Sequence, residues 1–182
     1  GRTTLAGEGL QHQDGHSHLF SSTIPNCVSY DPTFAYELAV IIQNGMHRMY
    51  NKDEDLFYYI TVMNENYQHP EMPKNAEEGI IKGMYLLKKS DKSKVQIQLL
   101  GSGTILREVI AAADLLEEDF GISSNIWSVT SFNELRREGL SIKRQNLLHP
   151  DKKQKLTYVE SLFEDINTPV IAATDYMKIY AD

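Results

Sequence analysis

Apolar positions recur along the chain with two different periods. Phe34, Leu38, Ile41, Ile42 and Met46 fall at helical spacing and form one stripe. Asp31-Pro32 stands ahead of them. Asp can cap free N–H groups, and Pro at the first helical position loses no hydrogen bond, so a helix is predicted over 31–50. Before it, IPNCVSY at 24–30 reads as a short buried strand. After it, LFYYITVM at 56–63 is aromatic and β-branched, which predicts a strand covered on both faces. Strand, helix, strand in that order predicts a parallel pair with a right-handed crossover. Residues 1–23 carry Gly, Ser, Thr and His in excess and read as an extended loop with at most one short helix.

The pattern breaks at 64–75, NENYQHPEMPKN, where two prolines and the loss of apolar period mark a linker. Beyond it, strands are predicted over 80–87 and 95–100, joined by the polar turn at 90–93. A helix is predicted over 104–119, with Ile105, Val109, Ala112 and Leu116 inward and Gly121 as its C-terminal cap. A strand follows at 125–129. Ser131-Phe132-Asn133-Glu134 has capping-box spacing and opens a short helix ending near Gly139. Residues 141–156 read as a surface excursion, its Lys143, Arg144, Lys152, Lys153 and Lys155 solvated. A helix over 157–163, a strand over 170–174 and a helix beginning near Asp175 complete the series. Alternating strands and helices imply an α/β fold, a largely parallel sheet with flanking helices.

Composition narrows the classes. With 182 residues, 41% hydrophobic and 24% charged, the chain is ordinary globular protein, one domain or two small ones. A net charge of -7 without a clustered basic surface argues against nucleic acid. The longest apolar run, 56–60, is far short of the ~20 residues a membrane helix needs. Cys27 is the single cysteine, so an intrachain disulfide is excluded; its apolar neighbours predict a buried, inert thiol, suited to a reducing cytosol. The chain opens with Gly1-Arg2-Thr3-Thr4 and carries no visible signal peptide, so a piece of something larger is expected.

Candidate chemistry concentrates in GEGLQHQDGHSH at 7–18, where His12, His16 and His18 are interleaved with Glu8, Asp14 and three glycines. Imidazole and carboxylate donors suit zinc, but no cysteine joins them and HExxH is absent. A solvated polar loop is the second reading. The third is a catalytic loop: imidazole moves protons near neutral pH, and glycines allow close approach to a ligand. Residue spacing leaves all three open. Gly101-Ser102-Gly103 lies between a strand and a helix, but Leu106 stands where a dinucleotide fingerprint has its third glycine, so a tight strand–helix turn is the better reading. Phe57, Tyr58 and Tyr59 read as strand core, since no basic residues interleave with them.

Taken together, several blocks resemble one family. GRTTLAGEGLQHQDGHSH, IPNCVSYDPTFAYELAVI, YYITVMNENYQHPEMP, VQIQLLGSG, SVTSFNELRREG and TDYM occur in order across essentially the whole chain, and the set is similar to the homodimeric-type pyruvate dehydrogenases. The resemblance implies thiamine diphosphate and Mg2+ as cofactors. It implies pyruvate as substrate, a lipoyl-bearing dihydrolipoyl acetyltransferase as partner, a homodimer and a bacterial cytoplasm. It places residues 1–70 at the end of a pyrimidine-binding (middle) thiamine domain, 71–78 in a linker, and 79–182 at the start of a transketolase-type C-terminal domain.

The resemblance also assigns roles. His12 would line the substrate side of the thiamine site, with Glu8 nearby and His16 and His18 as secondary candidates, His18 standing where the wider transketolase family carries an active-site histidine. Gln13 departs from the family, which commonly has an acid there. The family's GDG-type diphosphate and magnesium motif is absent from the sequence, and its cofactor-activating glutamate lies upstream. The cofactors would therefore be held mainly by residues outside this chain, and the chain alone is expected to be inert. The competing expectations are a related thiamine enzyme acting on another keto substrate, and an interaction module without chemistry.

Overall fold

The computed structural model describes residues 12–92 and 95–182. A short helix α1 (Ser17–Ser22) precedes a parallel pair, β1 (Cys27–Tyr30) and β2 (Phe57–Ile60). The crossover between them is α2 (Ala35–Met46), whose last turn widens into a π-turn at His47–Asn51. Cys27 is buried, and burial pushes its thiol pKa up, away from reactivity. No helix or strand forms over 61–73, yet the segment is tied down. The Tyr67 hydroxyl donates to Thr33 O, the Ala35 N–H donates to His69 Nδ1 at 3.0 Å, and Arg107 lies 4.5 Å from the Tyr67 ring centre.

The second sheet has the order β3-β5-β4-β6, made of β3 (Met84–Lys88), β4 (Ile97–Gly101), β5 (Ser124–Val129) and β6 (Val170–Ala173). β4 runs parallel to both β5 and β6, whereas β3 is antiparallel to β5. Helices α3 (Glu77–Lys82), α4 (Ile105–Phe120), α5 (Phe132–Leu148) and α6 (Tyr158–Phe163) connect and flank the strands.

Several expectations are corrected. Residues 80–87 are a helix end and a strand, not one strand. Gly83 at φ +107 stops α3, whose first turn carries Glu77 and Glu78 and whose last carries Lys82, in the sense the helix dipole favours. The buried face of α4 is Leu106, Val109 and Ala113; Ala112 is exposed and Ile105 and Leu116 only half-buried. Gly101 sets that rotation, since a Cβ there would stand 2.7 Å from Leu106 Cα, so the helix lies directly on the strand end. The helix after Ser131 runs past Gly139 to Leu148, because Gly139 keeps helical φ and packs near Thr157. Near Asp175 a bend and one 3-10 turn, Lys178–Tyr180, replace the expected helix. β2 pairs only with β1, so Phe57 is exposed and its neighbours half-buried, not covered on both faces.

Asp31 is not the cap of α2. That role falls to Glu37, whose Oε2 accepts from the N–H groups of Thr33 (2.6 Å) and Phe34 (2.9 Å). Glu37 is fully buried, and its Oε1 accepts from the hydroxyls of Tyr85 (2.7 Å) and Ser128 (2.5 Å) on β3 and β5. One carboxylate thus joins the two sheets. Apolar packing does the same: Val28, Tyr30 and Ile41 share a core with Ala76, Ile80 and Tyr85, and Phe34 packs with Leu99, Leu106 and Ile126. Burying side chains of the size of Ile80 or Leu106 contributes about 1.5–3 kcal/mol each.

Candidate active site

The histidine loop leads into α1, and its local chemistry explains its shape. Asp14 Oδ1 accepts from the N–H groups of His16 (3.1 Å) and Ser17 (2.9 Å), and its Oδ2 takes the Ser17 hydroxyl. This satisfies the free donors at the start of a helix too short to hold itself. Gly15 O accepts from Met177 N at 3.2 Å, so the TDYM block backs the loop from 162 residues away in sequence. Asn133, in the first turn of α5, points its amide at His18 O (2.7 Å), Ser21 Oγ (3.1 Å) and Ser29 Oγ (2.6 Å), fixing α1 against β1. Asn133→Ala leaves these buried acceptors short of a donor, at about 1–3 kcal/mol. The expected result is faster hydrogen exchange over 17–22 in the variant than in wild type with α4 unchanged, and equal rates over 17–22 in the two proteins would contradict it.

The three histidines part company. His12 and His16 are exposed, His16 lying 6.1 Å from the Phe20 ring. His18 is fully buried, with Tyr59, Tyr176 and Tyr180 rings at 5.3, 4.9 and 5.2 Å from its own. Its Nε2 lies 2.9 Å from Thr61 Oγ1, and Thr61 donates onward to Asp31 Oδ1 at 2.6 Å. Glu8 lies outside the described residues. Sequence spacing had no means of finding Thr61, Asp31, Asn133 or Tyr176, which reach the loop only through the fold.

The arrangement limits the chemistry. Among the described residues, no group of three or more His, Cys, Asp and Glu side chains could hold a metal. The Gly101-Ser102-Gly103 turn is a strand–helix turn filled by the protein itself. Gly103, at φ +48, donates its N–H to Asp31 O (3.1 Å) and accepts from Thr33 Oγ1 (2.8 Å), and a Cβ there would overlap the Asp31 carboxylate. A carboxylate against that turn repels phosphate. Gly103→Ala combines a left-handed backbone with this overlap, so it is expected to destabilise by about 2 kcal/mol or more, read as a fall in Tm; an unchanged Tm would contradict the contact. An open groove of about 1070 Å³ between α5, α6 and β6 is lined by apolar residues such as Leu140, Phe163 and Ile179 together with charged ones such as Arg136 and Lys143, and by none of the histidines. What faces outward is therefore an imidazole-bearing loop on a rigid support, able to hydrogen-bond or exchange protons with a ligand presented to it.

Comparison with known proteins agrees along the chain. Residues 1–70 match the family described as pyruvate dehydrogenase E1 component middle domain, and residues 83–182 match the transketolase-like C-terminal domain. Pyruvate dehydrogenase E1 components of Pseudomonas aeruginosa, Cupriavidus necator and Escherichia coli K12 are 65%, 56% and 55% identical over 100% of the chain. The chain spans 21% of the length of the first two and 20% of the third. Among solved structures, a Pichia stipitis transketolase in complex with fructose-6-phosphate superposes with TM-score 0.61 at 16% identity, over 93% of this chain and 21% of that one. A second Pichia stipitis transketolase structure, with sedoheptulose-7-phosphate, gives TM-score 0.59 over 93% of this chain and 21% of that one, again at 16% identity. The structural likeness concerns the fold.

Proposed function

This chain belongs to the transketolase-like family, in its pyruvate dehydrogenase E1 branch, and from that premise we propose that it is part of a thiamine-dependent, acetyl-transferring pyruvate dehydrogenase. The parent enzyme decarboxylates pyruvate and passes the acetyl unit to the lipoyl group of an acetyltransferase partner. It works as a homodimer in a bacterial cytoplasm. Residues 1–70 close its middle domain, 71–78 link, and 79–182 open its C-terminal domain. The observation that carries this reading is identity with E1 components along the whole chain, joined to a histidine loop that faces solvent from a clamped base.

The cofactor's charged end does not fit the described residues. They hold no metal-ligand cluster, and the Gly101-Ser102-Gly103 turn faces the Asp31 carboxylate. Magnesium and the diphosphate are held by the remainder of the parent enzyme. Carbanion stabilisation belongs to the cofactor, and the protein contributes binding and orientation. The part left to this chain is the substrate side. His12 donates to, or takes a proton from, an oxygen of pyruvate or of the group derived from it. Glu8 and His16 stand in the same loop and set the polarity around it. His18, enclosed by three aromatic rings, has no open path to substrate and supports the loop.

The test is pyruvate decarboxylation by the full-length parent with thiamine diphosphate and Mg2+ supplied or withheld, beside the 182-residue chain alone. The expected result is turnover only by the full-length protein and only with both cofactors. Thiamine-dependent turnover confined to another keto acid would replace the substrate. Turnover without thiamine would overturn the reading.

A further inference from the structure

Thr61 ends the first parallel pair, and its N–H donates to Tyr30 O at 3.0 Å, so β1 fixes its backbone. Its hydroxyl makes two short contacts with distant parts of the chain, His18 Nε2 at 2.9 Å and Asp31 Oδ1 at 2.6 Å, and two longer ones at 3.4 Å, to Tyr30 O and from the Tyr176 hydroxyl. A carboxylate only accepts, so the single hydroxyl proton goes to Asp31. The same oxygen can then only accept from His18, whose Nε2 carries the proton. This fixes the tautomer and the plane of a ring already enclosed by Tyr59, Tyr176 and Tyr180.

Asp31 is in turn anchored on the second sheet. It is buried; its N–H donates to Thr130 O at 2.8 Å, and its carbonyl accepts from Gly103 N at 3.1 Å. A continuous line of hydrogen bonds therefore runs from the strand ends of the larger sheet, through Asp31 and Thr61, to the ring of His18 and the helix that carries the histidine loop. We propose that Thr61 is a positioning residue for that loop, with His18 as the part it orients, not a proton-transfer group. The proposal rests on the reading of His12 given above. The hydroxyl matters here because valine has the same shape but cannot join two hydrogen bonds, whereas serine can.

The experiment uses the full-length enzyme, in which Thr61→Val and Thr61→Ser are each made alone and with His12→Ala, and kcat and KM for pyruvate are measured. Thr61→Val is expected to lower kcat roughly tenfold, the scale of a misplaced group, with KM within about twofold. Thr61→Ser is expected to restore kcat to within about twofold. In the His12→Ala background, Thr61→Val should cost less than about twofold, because the group it positions is gone. An unchanged kcat in Thr61→Val, an equal loss in Thr61→Ser, or the same factor in both backgrounds overturns the proposal and leaves the His12 reading standing. Full activity of His12→Ala by itself overturns the His12 reading and this one with it. If Thr61→Val does not fold, Thr61→Ala against Thr61→Ser makes the same comparison.

Discussion

Glu37→Ala is expected to loosen both sheets at once, raising hydrogen exchange in β1, β3 and β5 of the full-length enzyme by roughly 10²-fold or more. Four donors converge on this one carboxylate: two N–H groups at the start of α2 and the hydroxyls of Tyr85 and Ser128. Alanine removes every acceptor and leaves a cavity between the sheets. Each buried donor left unmade costs about 1–3 kcal/mol, and Tyr85 keeps the Tyr36 hydroxyl at 2.6 Å as a neighbour, so the net loss is about 3–5 kcal/mol. That is a large part of a typical domain's stability. Exchange that changes less than about threefold in β5 would show that the apolar core alone joins the sheets.

The same residue predicts a pH dependence. Burial pushes the Glu37 carboxyl pKa up, and the Ser128, Phe34, Tyr85 and Thr33 donors pull it part of the way back. Between the ordinary carboxylate value of about 4.3 and the raised native value, the native state binds more protons than the unfolded one. Stability from this group therefore falls as pH rises through that window. Glu37→Gln does not titrate. The stability gap between wild type and Glu37→Gln is expected to be widest on the acid side and to narrow as pH rises, measured by denaturant unfolding. A gap that widens with pH would reverse the sign.

Local signals were legible in the sequence where they decide structure locally. The spacing of Ile105 to Leu116 foretells a helix, Gly121 ends it at φ +65, and Ser131 Oγ accepts from Glu134 N at 3.0 Å as a cap should. They fail where packing decides. GIIKGMYLL at 79–87 is apolar throughout, and only the left-handed turn at Gly83 divides helix from strand. The inward face of α4 is set by contact with Gly101, which no periodicity reports. Asp31 has the composition of a helix cap, yet its carboxylate is drawn to Thr61 and capping passes to Glu37.

The candidate site divides in the same way. The cluster of His12, His16 and His18 is plain in the sequence, and the resemblance singles out His12. That His18 turns inward is fixed by Thr61, Tyr176 and Tyr180, between 43 and 162 residues away, and hydrophobic patterning carries no information about such pairs. Tyr176 and Met177 reach the loop only once β6 has paired with β4.

The other large effect concerns His12. It lies in the exposed part of a loop that Asp14, Met177 and Asn133 hold from three sides, so its loss should alter chemistry with little change in folding. A single acid–base group contributes about 10²–10⁴-fold. The most direct measurement is the rate of carbon dioxide release from pyruvate by the full-length enzyme, saturated with thiamine diphosphate and Mg2+, for wild type and His12→Ala. The account predicts a fall of at least about 10²-fold in kcat with Tm unchanged. Wild-type turnover in His12→Ala would contradict it and reduce the histidine loop to scaffold.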